Sequence, residues 1–411
     1  MKNSSLAVVL LSLFALAAVH APAPSSSAVN PSPSPGGDSS ITVGGEPVVF
    51  LNRPQPLSRN QPQFLQATIL PGNGMNLLQL RAYIPGQGDV DLLNSPALSD
   101  AKRLLAYGND EFGNQSFMVG GAILLPYPNR IRGTLSPDGK TIETDVEGKI
   151  VSLPANWRGK LRGAKFVAMH GLILSSQFQD VNRRDSASES EVTALLHAGD
   201  FGGHWLSQTD VAVKMILRDR QLEMTVTARN VGHAPLPMAI GFHPYFRFPS
   251  GDRRQARLRL PAISYAIVNN YDDVFPRGQI VSVKNSAYDF TPPGGVALNG
   301  IFLDDCFTDL ARQSDGSAVI EITDPAARYG MRIRALSPQI KSIQVYAPPA
   351  KNFVVVEPQF NLADPFDRKV WGDRDTGVVT LAPGESVSWR ILLELFTPSG
   401  DLPETTQLGP E

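Results

Sequence analysis

Hydrophobic and polar residues alternate over short stretches along most of this chain. In Ala212-Val-Lys-Met-Ile-Leu217, Leu222-Glu-Met-Thr-Val-Thr227, Ile320-Glu-Ile-Thr323 and Ser388-Trp-Arg-Ile-Leu-Leu-Glu-Leu-Phe396, apolar side chains recur at every second position or run on continuously. A period of two puts successive side chains on opposite faces of a β-strand, so these segments predict strands, many with one wet face. No segment sustains the i, i+3, i+4, i+7 spacing of an amphipathic helix, and 35 glycines and 34 prolines punctuate the chain. Alternating strand and helix units are absent, which argues against a Rossmann or TIM-barrel enzyme. The expected fold class is all-β: a large antiparallel β-sandwich with few or no helices.

The pattern changes at both ends. Behind Met1-Lys2, Leu6 to Val19 is an apolar run followed by small residues at Ala15-Leu-Ala17 and Val19-His-Ala21. Residues 1–21 therefore read as a signal peptide cleaved after Ala17 or Ala21, since the run is too short to span a bilayer comfortably. Residues 22–40 are rich in Pro, Ser and Gly, have little to bury, and read as a solvated linker. Residues 41–396 show no internal boundary and are expected to form one domain, with a polar tail over residues 397–411. The stretch from Val181 to Glu191 reads as a polar surface excursion. These features predict a secreted or periplasmic protein, free of the membrane once the signal is removed.

Charge and cysteine content narrow the function classes. A formal net charge of −2 with no basic block lacks the footprint of a nucleic-acid binder. A single cysteine, Cys306, excludes an intrachain disulfide framework and a multi-cysteine metal site. The six histidines, His197, His204 and His233 among them, show no close ligand spacing of the zinc kind, so no metal is expected.

Reactive side chains in unusual surroundings mark four segments. Glu357 follows three valines and precedes Pro358 at the end of a strand. Desolvation there would raise its pKa toward neutrality and make it a useful base, although a strand glutamate more often points to water. His243 lies between Gly241-Phe242 and Pro244-Tyr-Phe246. It is either a proton carrier or a core histidine satisfied by backbone. The same choice holds for His170, beside Gly171 in Met169-His-Gly-Leu172. Arg130, after Pro128-Asn129, is either a fork for sugar hydroxyls or half of a structural ion pair. Asp304-Asp305 offers a carboxylate in an apolar segment, which suits a polyol or a turn. Gly202-Gly-His-Trp205 reads as an ordinary turn.

Together these segments resemble the aldose 1-epimerase, or galactose mutarotase, family. The matching stretches run in order: Pro126 to Ile131, His170-Gly171, His243 to Phe246, Leu303-Asp-Asp305 with Phe307, and Glu357-Pro358. The resemblance implies a large antiparallel supersandwich. It implies Glu357 as general base and His243 as general acid, with Arg130, His170, Asp304 and Asn129 holding the sugar. Asp305 follows Asp304 where the family often has His or Asn, so the contact falls on Asp304 or Asp305. The implied reaction interconverts the α and β anomers of a free aldose without a cofactor, in a monomer or homodimer. Two other readings share these features. One is a secreted, non-catalytic carbohydrate-binding protein on the same fold. The other is a lyase or hydrolase of larger glycans, for which a glycosidase would need two carboxylates at the cleavage site. The acid–base pair predicts a bell-shaped pH profile.

Overall fold

A computed structural model describes residues 41–53, 58–106, 108–159 and 163–398, all within one compact unit. The predicted signal segment, the linker and nearly all of the tail lie outside the described residues. The all-β expectation holds. Among the described residues, the α-helices are Leu98–Leu104 and Arg368–Trp371, and none is long and apolar enough to cross a membrane.

Two antiparallel sheets dominate. The nine-stranded sheet runs, in spatial order, Gln179–Asp185, Ser190–Gly199, Thr209–Leu217, Gln221–Asn230, Ser386–Phe396, Tyr329–Ala335, Ala318–Asp324, Arg257–Arg259 and Val296–Ala297. The eleven-stranded sheet runs Pro276–Ser282, Ala262–Val268, Leu303–Leu310, Ser342–Ala347, Phe353–Gln359, Gly241–Arg247, Gly121–Leu124, Asn76–Ile84, Gln63–Leu70 and Val49–Asn52, with Gly88–Asp91 added beside Asn76–Ile84. One apolar cluster takes side chains from both sheets, as in a β-sandwich. Across it the Phe242 and Trp389 rings stand 6.1 Å apart, and Trp389 Nε1 donates to the Pro358 carbonyl at 3.0 Å. This bond satisfies the indole, whose unpaired burial would be costly.

One predicted excursion is ordered strand. The polar stretch from Val181 to Glu191 forms the exposed edge hairpin of the nine-stranded sheet, pairing Asp185 with Ser190. An edge strand with no apolar face shows no alternation, and charged side chains on an edge disfavour pairing with other chains.

Candidate active site

The site lies on the face of the eleven-stranded sheet opposite the sandwich core. In Gly241–Arg247, Phe242 and Phe246 join the core, so the period of two turns His243 and Tyr245 the other way. The same alternation sends Val354 and Val356 into the core and Glu357 outward, and sends Ile343 and Val345 inward and Gln344 outward. Register then aligns the outward residues. With Gly241 opposite Gln359 and Tyr245 opposite Val355, His243 stands beside Glu357, which pairs with Gln344, which pairs with Cys306. The next row holds Tyr245, Val355, Tyr346 and Asp304. Asp305, one residue on, faces the other side of the sheet with Leu303 and Phe307, so only Asp304 shares the face of Glu357.

Arg130 and His170 come from short strands packed over this face. Arg130–Ile131 pairs with Phe166–Met169, and the His170 amide continues the ladder by donating to the Asn129 carbonyl at 2.8 Å. Asn129 and His170 both adopt left-handed backbone, at φ 67° and 64°. Gly171 follows at φ 89°, where an added Cβ would meet the Leu125 carbonyl oxygen at 2.1 Å. Only glycine fits so close to a neighbouring backbone, which gives the His-Gly pair its physical reason.

These residues form one polar cluster. His243 Nε2 lies 3.5 Å from Glu357 Oε1, and the two residues are 5% and 1% exposed. The His170 and His243 rings stand edge to face at 4.6 Å, and Phe117 covers His170 at 5.0 Å. The Asn129 amide donates to His170 Nδ1 at 3.2 Å, which leaves the proton of a neutral ring on Nε2. Asn129 Nδ2 donates to Gln344 Oε1 at 2.9 Å, and Gln344 Nε2 donates to Asp304 Oδ1 at 2.7 Å. Arg130 Nη1 donates to the Val274 carbonyl at 2.9 Å, with Nη2 3.6 Å from Asp304 Oδ2.

Burial dominates the electrostatics. It pushes Glu357 well above the usual carboxylate range, the Asp304 charge adds to the rise, and Arg130 opposes it. Burial lowers His243 to about 3 and holds His170 well below the ordinary histidine value. Both members of the His243/Glu357 pair are thus pressed toward their uncharged forms. Asp304 is raised by burial too, against the pull of Arg130 and Gln344. Among the described residues, His243 Nδ1 and Glu357 Oε2 are among the buried atoms with no hydrogen-bond partner in another residue. Such atoms are costly in a finished core and are common where a ligand completes the set.

A family model described as Aldose 1-epimerase matches residues 94–394. The chain belongs to the aldose 1-epimerase family. Three solved structures are similar. A galactose mutarotase-like protein from Clostridium acetobutylicum is 19% identical with a TM-score of 0.63, over 85% of this chain and 98% of that one. A GalM/aldose epimerase homologue from C. elegans is 17% identical with a TM-score of 0.61, over 85% and 98%. Galactose 1-epimerase from Lactobacillus acidophilus NCFM is 16% identical with a TM-score of 0.57, again over 85% and 98%. At these identities the likeness establishes the fold. No curated protein matches this chain.

Within this epimerase fold, Gln344 is the polar site residue that the sequence reading passed over. It bridges Asn129 to Asp304. Its signal was present: in Ser342-Ile-Gln-Val-Tyr-Ala347, alternate positions are polar in a strand whose other face is wholly apolar. His170, His243 and Glu357, though far apart in sequence, bring ligand atoms within 4.8 Å of one another and so have the spacing to hold an ion. The Arg130 charge acts on all three and opposes a further cation there, while the Asp304 charge acts on Glu357 in the opposite sense. Cys306 sits beside Gln344, and burial pushes its thiol up to about 12, away from the thiolate form that nucleophilic chemistry uses. The Gly202–Trp205 stretch is a turn whose Trp205 anchors in the core by donating to the Pro237 carbonyl at 2.8 Å.

Proposed function

We propose that this protein is an aldose 1-epimerase that interconverts the α and β anomers of a free hexose such as glucose or galactose. The observation that carries the reading is the His243/Glu357 contact at 3.5 Å, between buried groups that each keep one unpartnered polar atom. Anomerisation removes the proton of the C1 hydroxyl, breaks the bond from C1 to the ring oxygen, and delivers a proton to that oxygen. Two adjacent oxygens need one acid and one base in reach of each other. Glu357, as the carboxylate, takes the hydroxyl proton, and His243, as the imidazolium, gives its proton to the ring oxygen. After the open aldehyde turns about C1–C2, the same pair closes the ring with its roles exchanged, so the protein ends with the proton count it began with.

Burial suits this use of the pair. With Glu357 raised and His243 lowered, the two groups together hold a single proton over a wide pH range; it rests on Glu357, and its passage to His243 across their contact produces the carboxylate base and imidazolium acid that ring opening uses. Arg130, Asp304, His170 and Asn129 fix the remaining hydroxyls, which leaves C1 free to turn. Polarimetry of freshly dissolved α-D-glucose and α-D-galactose tests the reading. Faster decay of rotation with the protein than without it supports it. Binding of either sugar with no acceleration favours the carbohydrate-binding reading instead.

A further inference from the structure

Between the strands Ala262–Val268 and Pro276–Ser282, residues 269–275 form a loop that reaches the site. Its inner end is Val274, whose carbonyl accepts Arg130 Nη1 at 2.9 Å. Val274 stands at φ 55°. A β-branched residue in left-handed backbone costs on the order of 1–3 kcal/mol, and it persists only where the surroundings enforce it. Here they do. Asn269 Oδ1 accepts the Asn270 and Phe275 amides at 2.8 and 2.9 Å, and Asn270 Oδ1 accepts those of Asp272 and Asp273, both at 2.8 Å. The Val274 amide donates to the Asn270 carbonyl at 3.1 Å.

The outer end of the loop is tied back to the sheet. The Tyr271 hydroxyl donates to the Asp305 carboxylate, at 3.0 and 3.2 Å to its two oxygens, and accepts from the Tyr288 hydroxyl at 2.7 Å. Asp305 is 2% exposed, and its Oδ2 accepts the backbone amide of Asp304 at 3.1 Å. The contacts therefore close a ring: Asp304 to Arg130, Arg130 to Val274, Val274 through the loop to Tyr271, Tyr271 to Asp305, and Asp305 back to Asp304. Adjacent aspartates on opposite faces of one strand serve the two ends of it.

We infer that Asp305 and Tyr271 are positioning residues, which hold the 269–275 loop so that the Val274 carbonyl fixes the direction of the Arg130 guanidinium. The inference rests on the proposed function for what Arg130 does with a sugar, and on the geometry alone for how Arg130 is held. Arg130 would grip hydroxyls that do not react, so losing its orientation weakens ground state and transition state alike. That raises KM and spares kcat.

The decisive variant is Tyr271→Phe. It keeps the ring packed on Phe302 at 5.0 Å, and Tyr271 is 43% exposed, so the fold is retained. The expected result is a KM for α-D-galactose or α-D-glucose raised about 3- to 10-fold, the scale of one hydrogen bond, with kcat within about 2-fold. Phenylglyoxal labelling of Arg130 in the sugar-free protein, read by peptide mass spectrometry, should rise several-fold. Asp305→Asn keeps an acceptor for the Tyr271 hydroxyl and should behave as the parent, whereas Asp305→Leu should match Tyr271→Phe. The inference is overturned if Tyr271→Phe leaves both KM and labelling unchanged, or if kcat and thermal stability fall while KM stays. A parent protein that does not accelerate anomerisation would defeat the proposed function, and the labelling comparison would still decide this one.

Discussion

The two large sheets treat charge in opposite ways. On the outer face of the nine-stranded sheet, charged groups are wet and paired. Arg390 meets Glu223 at 2.8 Å, Arg332 meets Glu321 at 2.7 Å and lies 4.0 Å over the Phe396 ring, and Arg334 meets Glu394. On the outer face of the eleven-stranded sheet, His243 and Glu357 are dry, and each keeps an unpartnered atom. The inner faces of both sheets are mainly apolar core, with Asp305 among the few buried polar groups on them. The difference locates function: paired, solvated charges add little energy and ask for nothing more, whereas buried, incompletely bonded ones are retained at a cost to stability.

The largest effect is expected at Glu357. Glu357→Gln keeps size and burial but cannot accept a proton, so the anomerisation rate should fall about 10²- to 10⁴-fold, the range of general base catalysis. Thermal melting should show no loss of stability, because a neutral amide replaces a carboxyl whose ionised form the site disfavours. A variant that keeps full activity in polarimetry would remove Glu357 from the mechanism. On the sandwich side of the same strand system, Phe242→Ala should cost about 3–5 kcal/mol in denaturant unfolding through the cavity it leaves. The reverse pattern, lost activity with unchanged stability, would mean that the two faces are not separate in role.

The pH profile sharpens the contrast further. In the proposed mechanism, activity needs one proton on the His243/Glu357 pair. Falling pH adds a second proton, to a histidine that burial lowers to about 3. Rising pH removes the only one, from a carboxyl that burial raises. The bell expected from the sequence should therefore be broad, with both limbs displaced outward, and His243→Asn should erase the acid limb. Measured as kcat/KM, an acid limb at the ordinary carboxylate value would count against this assignment. Smaller still is Arg130→Lys, which keeps the charge and loses the fork. A rise in KM of about 10-fold is expected, and an equal fall in kcat would place Arg130 in the chemical step instead. The least effect belongs to the wet face. Glu223→Ala should shift stability by no more than about 1 kcal/mol and leave polarimetry unchanged.

Much of this is legible in the order of residues. Alternation in Leu222–Thr227 and Ser388–Phe396 marked strands with one wet face, and these pair with each other in the nine-stranded sheet. The polar hairpin from Val181 escaped because an exposed edge strand has no apolar face to alternate. Gln344 escaped because a glutamine within an alternating strand looks solvent-facing until a second layer covers it. Which aspartate joins the site also had to wait. Asp304 and Asp305 are equivalent in a string, and only the pairing of Asp304 with Tyr346 shows which one shares a face with Glu357.

The strand period, the all-β class and the residue types able to carry a proton or grip a polyol are written in the order of residues, because these depend on local spacing and side-chain chemistry. Tertiary structure decided which of them meet. Residues as distant as Asn129, His170, His243, Asp304 and Glu357 come together only through strand order and register, and neighbours in the chain part to opposite faces. Burial, which raises Glu357 and lowers His243, is likewise a property of the assembled layers, since desolvation is imposed by what packs around a group and not by what precedes it in the chain.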